Sequence, residues 1–114
     1  MAQFEFVAWL AQWLITQEDF QFEWDQGNSS KSQQKHGIEM TAAEQLFYNK
    51  DCLVPLGIQT APTSNEPRFG AFGVDLLGNH LFVSFTIREG KVRIISIRPM
   101  SQIERKKYVS LREE

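Results

Sequence analysis

The chain has 114 residues, of which 42% are hydrophobic and 23% charged, and its net charge is −2. This length is typical of one compact domain, and the apolar fraction is enough to form a buried core. The single cysteine, Cys52, excludes an internal disulfide and a cysteine-based zinc site, which favours a reducing, cytoplasmic setting. No stretch reaches the roughly 18 to 20 apolar residues that span a bilayer, so we predict no membrane association.

Charge is distributed unevenly along the chain. Residues 1–57 carry a net charge of −5, and residues 58–114 carry +3. Most of the cations of the second half fall between residues 80 and 108, where only two acidic residues oppose seven basic ones. Because phosphate binding depends on local clusters of cations, a nucleic-acid partner remains compatible with the acidic chain as a whole.

The N-terminal part predicts a helix followed by a strand. Apolar residues recur at three- and four-residue spacing over residues 4–15, which places them on one helical face, with Trp9 and Trp13 on a neighbouring face. Such a helix either packs on the core or forms a partner-binding or self-association surface. Residues 20–25 then alternate between aromatic and polar side chains, which predicts a short half-buried strand.

Two further helices and a strand are expected in the middle of the chain. Residues 31–36 predict a short helix that ends at Gly37. Thr41 and Glu44 have the spacing of a capping box, which predicts the start of the next helix. Residues 53–58 predict a strand that a proline and a glycine interrupt.

The second half predicts an antiparallel meander followed by a helix. Residues 68–76, 80–88 and 91–98 form three strands joined by short turns, and a second capping box begins a basic helix after residue 101. Strands grouped in this way, with helices before and after them, indicate an α+β fold in which helices pack on an antiparallel sheet.

The last hairpin predicts a basic surface. If residues 89–90 form a two-residue turn, Arg88 faces Lys91 and Thr86 faces Arg93, whereas a three-residue bulged turn would shift this pairing by one. The polar face of the hairpin then carries Ser84, Thr86, Arg88, Lys91 and Arg93. Like charges in opposition indicate either a bound anion, such as a phosphate backbone, or solvated charges at a hairpin tip.

Arg98 lies at the end of the last strand and falls on the core-facing side in this register. A buried arginine requires a partner, so we expect it to pair with a carboxylate such as Glu104 or with a ligand phosphate.

Several short motifs in order along the chain resemble the BrnT toxin family. In the first half they are Phe22-Glu23-Trp24-Asp25, Lys35-His36-Gly37-Ile38, Ala43 and Leu46-Phe47. In the second half they are Arg68, Gly73, Gly78, Leu81 to Thr86, Arg88, Arg93-Ile94-Ile95-Ser96, Arg98, Ser101, Glu104-Arg105 and Tyr108. The resemblance covers residues 20–108. It implies a toxin domain over residues 20–114 and an additional N-terminal helical extension over residues 1–19.

The resemblance implies a RelE-like ribonuclease toxin of a type II toxin–antitoxin pair, with an antiparallel sheet and helices packed on it. It implies metal-independent RNA cleavage without a cofactor, and neutralisation by a ribbon-helix-helix antitoxin similar to BrnA. Its oligomeric state, alone or with the antitoxin, is left open.

The resemblance also implies residue roles. It assigns proton transfer to His36, and phosphate contact or transition-state stabilisation to Arg68, Arg93 and Arg98. Substrate-binding roles fall to Lys35, Arg88, Lys91 and Arg105. Two alternatives stay open, because His36 could be a helix-terminal cation and Arg98 could form a structural salt bridge to Glu104.

Some positions depart from the family pattern. Asn28 and Ser32 stand where the family usually has Lys and Asn, Asn49-Lys50 replaces an Asp-Pro, and Pro99-Met100 replaces a Lys-Ala. Fewer lysines mean weaker electrostatic attraction for phosphate. A catalytically weak or inactive relative that acts as a protein-binding module is therefore the alternative function.

Overall fold

The computed structural model describes residues 4–24, 40–59 and 67–112. The strands are β1 (Phe4–Glu5), β2 (Phe22–Trp24), β3 (Val54–Gln59), β4 (Phe69–Val74), β5 (His80–Arg88) and β6 (Lys91–Pro99). The helices are α1 (Ala8–Thr16), α2 (Met40–Tyr48) and α3 (Gln102–Arg112). The helix expected over residues 31–36 lies outside the described residues. The α+β prediction is confirmed.

The described strands form one sheet in the order β1-β3-β4-β5-β6-β2. The meander β4-β5-β6 is antiparallel, as predicted. The expectation of a fully antiparallel sheet is wrong, because β2 pairs parallel with β6 and makes the sheet mixed. A tight turn forces consecutive strands to be antiparallel, whereas β2 and β6 are far apart in the sequence and no turn sets their direction.

Each face of the sheet carries its own apolar cluster. The first face, which we define by Val83 and Phe85, packs against α1 and α2. Its buried members are Leu10, Leu14, Phe20, Ala43, Leu46, Phe47, Phe69, Ala71, Leu81, Val83, Phe85, Val92, Ile94 and Ile97. The second face, which we define by Phe82 and Thr86, carries Phe72, Phe82 and Met100 packed with Tyr108 of α3.

A bulge in β6 changes the face that Arg98 occupies. Ser84 pairs with Ser96 but Phe85 pairs with Ile94, so one extra residue is accommodated on β6. Beyond this point Arg98 pairs with Phe82. The prediction that Arg98 faces the main core is therefore wrong, because the bulge moves Arg98 to the second face.

The two predicted capping boxes have different outcomes. At the start of α3, the Ser101 N–H donates to Glu104 Oε1 at 2.9 Å and the Glu104 N–H donates to Ser101 Oγ at 3.1 Å, which confirms the motif. Thr41 instead lies within α2, which begins at Met40. The spacing alone did not locate the first residue of that helix.

Helix α1 packs on the first face. Leu10 and Leu14 are fully buried in its cluster, and Trp13 packs against the same cluster. The ring of Trp9 contacts Phe69 edge to face, with centroids 5.5 Å apart, although half of its surface stays exposed. Core packing therefore accounts for one side of the helix, while its other side remains open to a partner.

Substitution of two neighbouring residues of α1 tests its contribution to the core. We expect Leu14→Ala to lower the free energy of unfolding by about 2 to 5 kcal/mol, because it leaves a cavity in a closely packed cluster. Ile15→Ala, one residue further along, should change it by no more than about 0.5 kcal/mol, because Ile15 is 68% exposed. Urea denaturation of both variants measures the difference. Equal effects would contradict the packing of α1.

Candidate functional site

The strand registers place Arg68, Thr86 and Arg93 in one row across the second face. Thr86 of β5 pairs with Arg93 of β6. On the other side of β5, Phe69 pairs with Phe85. In an antiparallel pair the residue before Phe69 lies opposite the residue after Phe85, so Arg68 lies opposite Thr86. Neighbouring strands lie about 4.8 Å apart, so the Arg68 and Arg93 backbones are separated by roughly 10 Å. We call Arg68, Thr86 and Arg93 the cationic row.

The backbone of Arg68 is fixed although it precedes β4. The Gln59 N–H donates to the Arg68 carbonyl at 2.8 Å, which continues the ladder between β3 and β4 by one residue. Because strand side chains alternate and Phe69 is buried in the first-face cluster, Arg68 falls on the second face. The row thus draws one arginine from the residue just before β4 and the other from β6, on either side of β5.

The hairpin tip adds two cations beside the row. Glu89 and Gly90 have φ angles of 54° and 76°, so both adopt the left-handed conformation of a two-residue hairpin turn. Arg88 accordingly faces Lys91, which confirms the predicted register. Lys91 Nζ lies 3.7 Å from Glu23 Oε1 on the edge strand β2, so a carboxylate of the protein offsets part of the charge repulsion.

Hydroxyl groups accompany these cations on the second face. Thr86 is 3% exposed, and its Oγ1 has no hydrogen-bond partner within the part of the chain that the structure describes. In the adjacent row, Ser84 pairs with Ser96, and both are accessible to solvent. The surface therefore offers guanidinium and hydroxyl donors side by side, which are the groups that contact nucleic-acid backbones.

Arg98 forms a structural salt bridge. Its two terminal nitrogens donate to the two carboxylate oxygens of Glu104 at 2.6 and 2.8 Å, and its guanidinium lies 4.5 Å from the centre of the Phe82 ring. This pairing lowers the pKa of Glu104 to about 2 and raises the pKa of Arg98. The sequence left a carboxylate and a ligand phosphate open as partners of Arg98, and the structure shows the carboxylate of Glu104. The ion pair joins α3 to the sheet.

The structure leaves three predicted site residues without an assigned place in the row. His36 and Lys35 lie outside the described residues. Arg105 is exposed on α3, which covers another part of the second face. In residues 4–24, 40–59 and 67–112, no three His, Cys, Asp or Glu side chains are grouped so that they could hold a metal ion. No described helix has the length and apolar character needed to cross a membrane.

Two features of this surface were missed by reasoning from the sequence. Glu23 pairs in register with Arg93, so a carboxylate stands at the end of the cationic row. Nothing local in the sequence reveals this pairing, since β2 and β6 are joined by a parallel contact between distant segments. The hairpin pattern did place Thr86 on this face, but the burial of its hydroxyl, without a partner in the described part of the chain, depends on the packing around it.

The chain is similar to a known family of proteins over most of its length. Residues 24–104 match the family model described as the ribonuclease toxin, BrnT, of type II toxin–antitoxin systems. The chain is thus similar to toxins of such systems over well more than half of its length. It belongs to the BrnT toxin family. Helix α1 precedes the matched residues.

A solved structure supports the fold. The chain is similar to the crystal structure of the Brucella abortus ribonuclease toxin, BrnT, with a TM-score of 0.54 and 22% sequence identity. The alignment covers 74% of this chain and 100% of that one. No curated protein matches the chain.

The salt bridge of α3 gives a pH-dependent prediction. Because the folded-state pKa of Glu104 is depressed, its stabilisation is complete above the ordinary value of 4.5 and is lost as the pH falls toward 2. Glu104→Gln should lower the free energy of unfolding by about 1 to 3 kcal/mol at pH 7, since it leaves Arg98 without its carboxylate. The difference from wild type should shrink between pH 4.5 and 2, as followed by urea denaturation.

The matched control is Glu18→Gln, which removes an exposed carboxylate. It should leave the free energy of unfolding nearly unchanged across the same pH range. A gap between wild type and Glu104→Gln that stays constant down to pH 2 would contradict the role of the ion pair.

Proposed function

We propose that this protein is the toxin of a type II toxin–antitoxin pair and that it cleaves RNA without a metal ion. The observation that carries the proposal is the cationic row, in which Arg68 and Arg93 lie on one sheet face on either side of Thr86. Membership of the BrnT family supports the same function. The cytoplasm, where RNA is the available substrate, is the proposed location.

The chemistry requires only groups that proteins carry as side chains. The 2′-hydroxyl of the RNA attacks the adjacent phosphorus, a base takes its proton, and an acid protonates the leaving 5′-oxygen. Negative charge builds up on the non-bridging phosphate oxygens as the phosphorane forms. Fixed guanidinium groups stabilise that charge, because each can donate two hydrogen bonds and stays protonated.

We assign the roles as follows. Arg68 and Arg93 bind the scissile phosphate, and His36 transfers protons. Substrate contacts away from that phosphate belong to Lys35, Arg88, Lys91 and Arg105. The structure supports a positioning role for Arg98, since the Glu104 carboxylate occupies both of its terminal nitrogens and the pair anchors α3.

A cleavage assay tests this function. Purified protein incubated with a mixed-sequence RNA at low salt should cleave it, and 5 mM EDTA should leave the rate unchanged. Arg68→Ala and Arg93→Ala should each lower the rate by about 10²-fold or more, because each removes a group that stabilises transition-state charge. His36→Ala should lower it as well, through loss of proton transfer.

The control is Lys106→Ala, which removes one positive charge from the exposed surface of α3. It should cleave at the wild-type rate. If wild type does not cleave RNA, or if Arg68→Ala and Arg93→Ala cleave as well as Lys106→Ala does, the catalytic assignment is wrong. Abolition by EDTA with restoration by a divalent ion would contradict metal independence.

The antitoxin gives a separate prediction. We propose a ribbon-helix-helix protein similar to BrnA, encoded next to the toxin gene, as the partner that neutralises this chain. Co-expression of the adjacent reading frame should yield a complex that co-purifies and suppresses RNA cleavage. Size-exclusion chromatography with light scattering would give its stoichiometry. An adjacent product that neither binds nor inhibits would contradict the proposal.

One observation favours the alternative of a protein-binding module. On and beside α1, Phe6, Trp9 and Ile15 are each more than half exposed, so this segment presents apolar surface to solvent. The same segment precedes the residues that match the family. A protein that binds a partner through this surface and does not cleave RNA in the assay above would support the alternative.

A further inference from the structure

Thr86 has an unmet hydrogen-bonding requirement at the centre of the cationic row. Thr86 is 3% exposed, and no described residue forms a hydrogen bond with its Oγ1. A buried hydroxyl without a partner destabilises a fold, because it has lost its bonds to water. Such a group therefore calls for an explanation in terms of a ligand, a water or a functional role.

The neighbours of Thr86 within the row indicate the kind of ligand. Arg93 pairs with Thr86 on one side, and the ladder sets Arg68 opposite it on the other. Guanidinium groups donate hydrogen bonds but cannot accept them. The acceptor for which all three side chains are suited is an anionic oxygen that enters from the second face, and a phosphate offers several such oxygens to neighbouring donors.

We propose that Thr86 is a substrate-binding residue whose hydroxyl donates a hydrogen bond to the RNA phosphate held by Arg68 and Arg93. This inference rests on the proposed function. Thr86 is 3% exposed, so the phosphate reaches its hydroxyl when the side chains that cover it move aside. Long side chains such as those of Arg68 and Arg93 can move in this way while their backbones stay fixed. The hydroxyl is attached to a paired central strand, so it fixes the depth and position of the phosphate.

A neutral donor can be distinguished from the arginines by its salt dependence. Each cation that contacts phosphate contributes to the slope of log affinity against log salt, through the release of counterions. Thr86 carries no charge, so loss of its hydroxyl weakens binding by the same factor at every salt concentration. Loss of Arg68 or Arg93 both weakens binding and makes the slope shallower.

Binding of an uncleavable RNA by the full-length chain tests the proposal. The probe is a mixed-sequence oligonucleotide with 2′-O-methyl groups throughout, because its attacking hydroxyls are blocked. Thr86→Val should bind about tenfold more weakly than wild type with an unchanged salt slope, since it keeps the side-chain shape and removes one hydrogen bond to a charged group. Thr86→Ser, which restores the hydroxyl, should bind within about twofold of wild type.

Stability provides a second readout. The midpoint of thermal unfolding of Thr86→Val should equal or exceed that of wild type, because an unsatisfied hydroxyl is replaced by a methyl group. Thr41→Val, at an exposed position of α2, is the matched control and should leave RNA affinity unchanged. A lower midpoint for Thr86→Val would show that the hydroxyl is satisfied within the folded protein, which would overturn the proposal.

The remaining outcomes separate this inference from the proposed function. The role of the hydroxyl would be overturned if Thr86→Val bound the probe with wild-type affinity, or if Thr86→Val and Thr86→Ser bound it equally weakly. RNA cleavage could still depend on the arginines in either case. Binding that depends on Thr86 in a protein that cleaves no RNA would support the phosphate contact and contradict the nuclease. No binding of the probe by wild type would overturn the contact.

Discussion

The register of β5 against β6 is the constraint on which the rest of the structure depends. From the turn to Ile94, the two strands pair as a regular hairpin, which sets Thr86 beside Arg93. The bulge that follows shifts the pairing by one residue and turns Arg98 toward Phe82. Because strand side chains alternate, this single extra residue decides the face of every later side chain in β6. The regular pairing near the turn thus sets the cationic row, and the bulge sets the attachment of α3.

The same shift brings Arg98 onto the face that carries Arg93, but the two arginines have different surroundings there. Arg93 remains in the row with Thr86, whereas Arg98 is carried to the part of the face that α3 covers. There the Glu104 carboxylate neutralises it with ideal two-pronged geometry. The Ser101 capping box holds the same carboxylate, so the start of α3, the end of β6 and the ion pair stabilise one another. This member of the BrnT family thereby uses one arginine to stabilise its fold.

The candidate site is assembled from residues that are distant in the sequence. Arg68 precedes β4, Thr86 lies in β5, Arg93 lies in β6, and Glu23 comes from the edge strand β2. A sheet is well suited to this purpose, because each added strand places one more side chain about 4.8 Å along the same row. Pairing on both sides of β5 fixes the backbone positions of these residues, which is the preorganisation that the proposed RNA cleavage requires.

The sequence by itself determined the α+β class, the meander and the capping box of α3, and it narrowed the hairpin tip to two pairings, since these depend on local periodicity and turn chemistry. It also carried the motifs of the BrnT family. Tertiary structure alone decided the parallel pairing of β2, the face taken by Arg98 and the burial of the Thr86 hydroxyl without a partner among the described residues. The physical reason is that these features arise from contacts between distant segments and from one bulge, and neither leaves a periodic trace in the sequence.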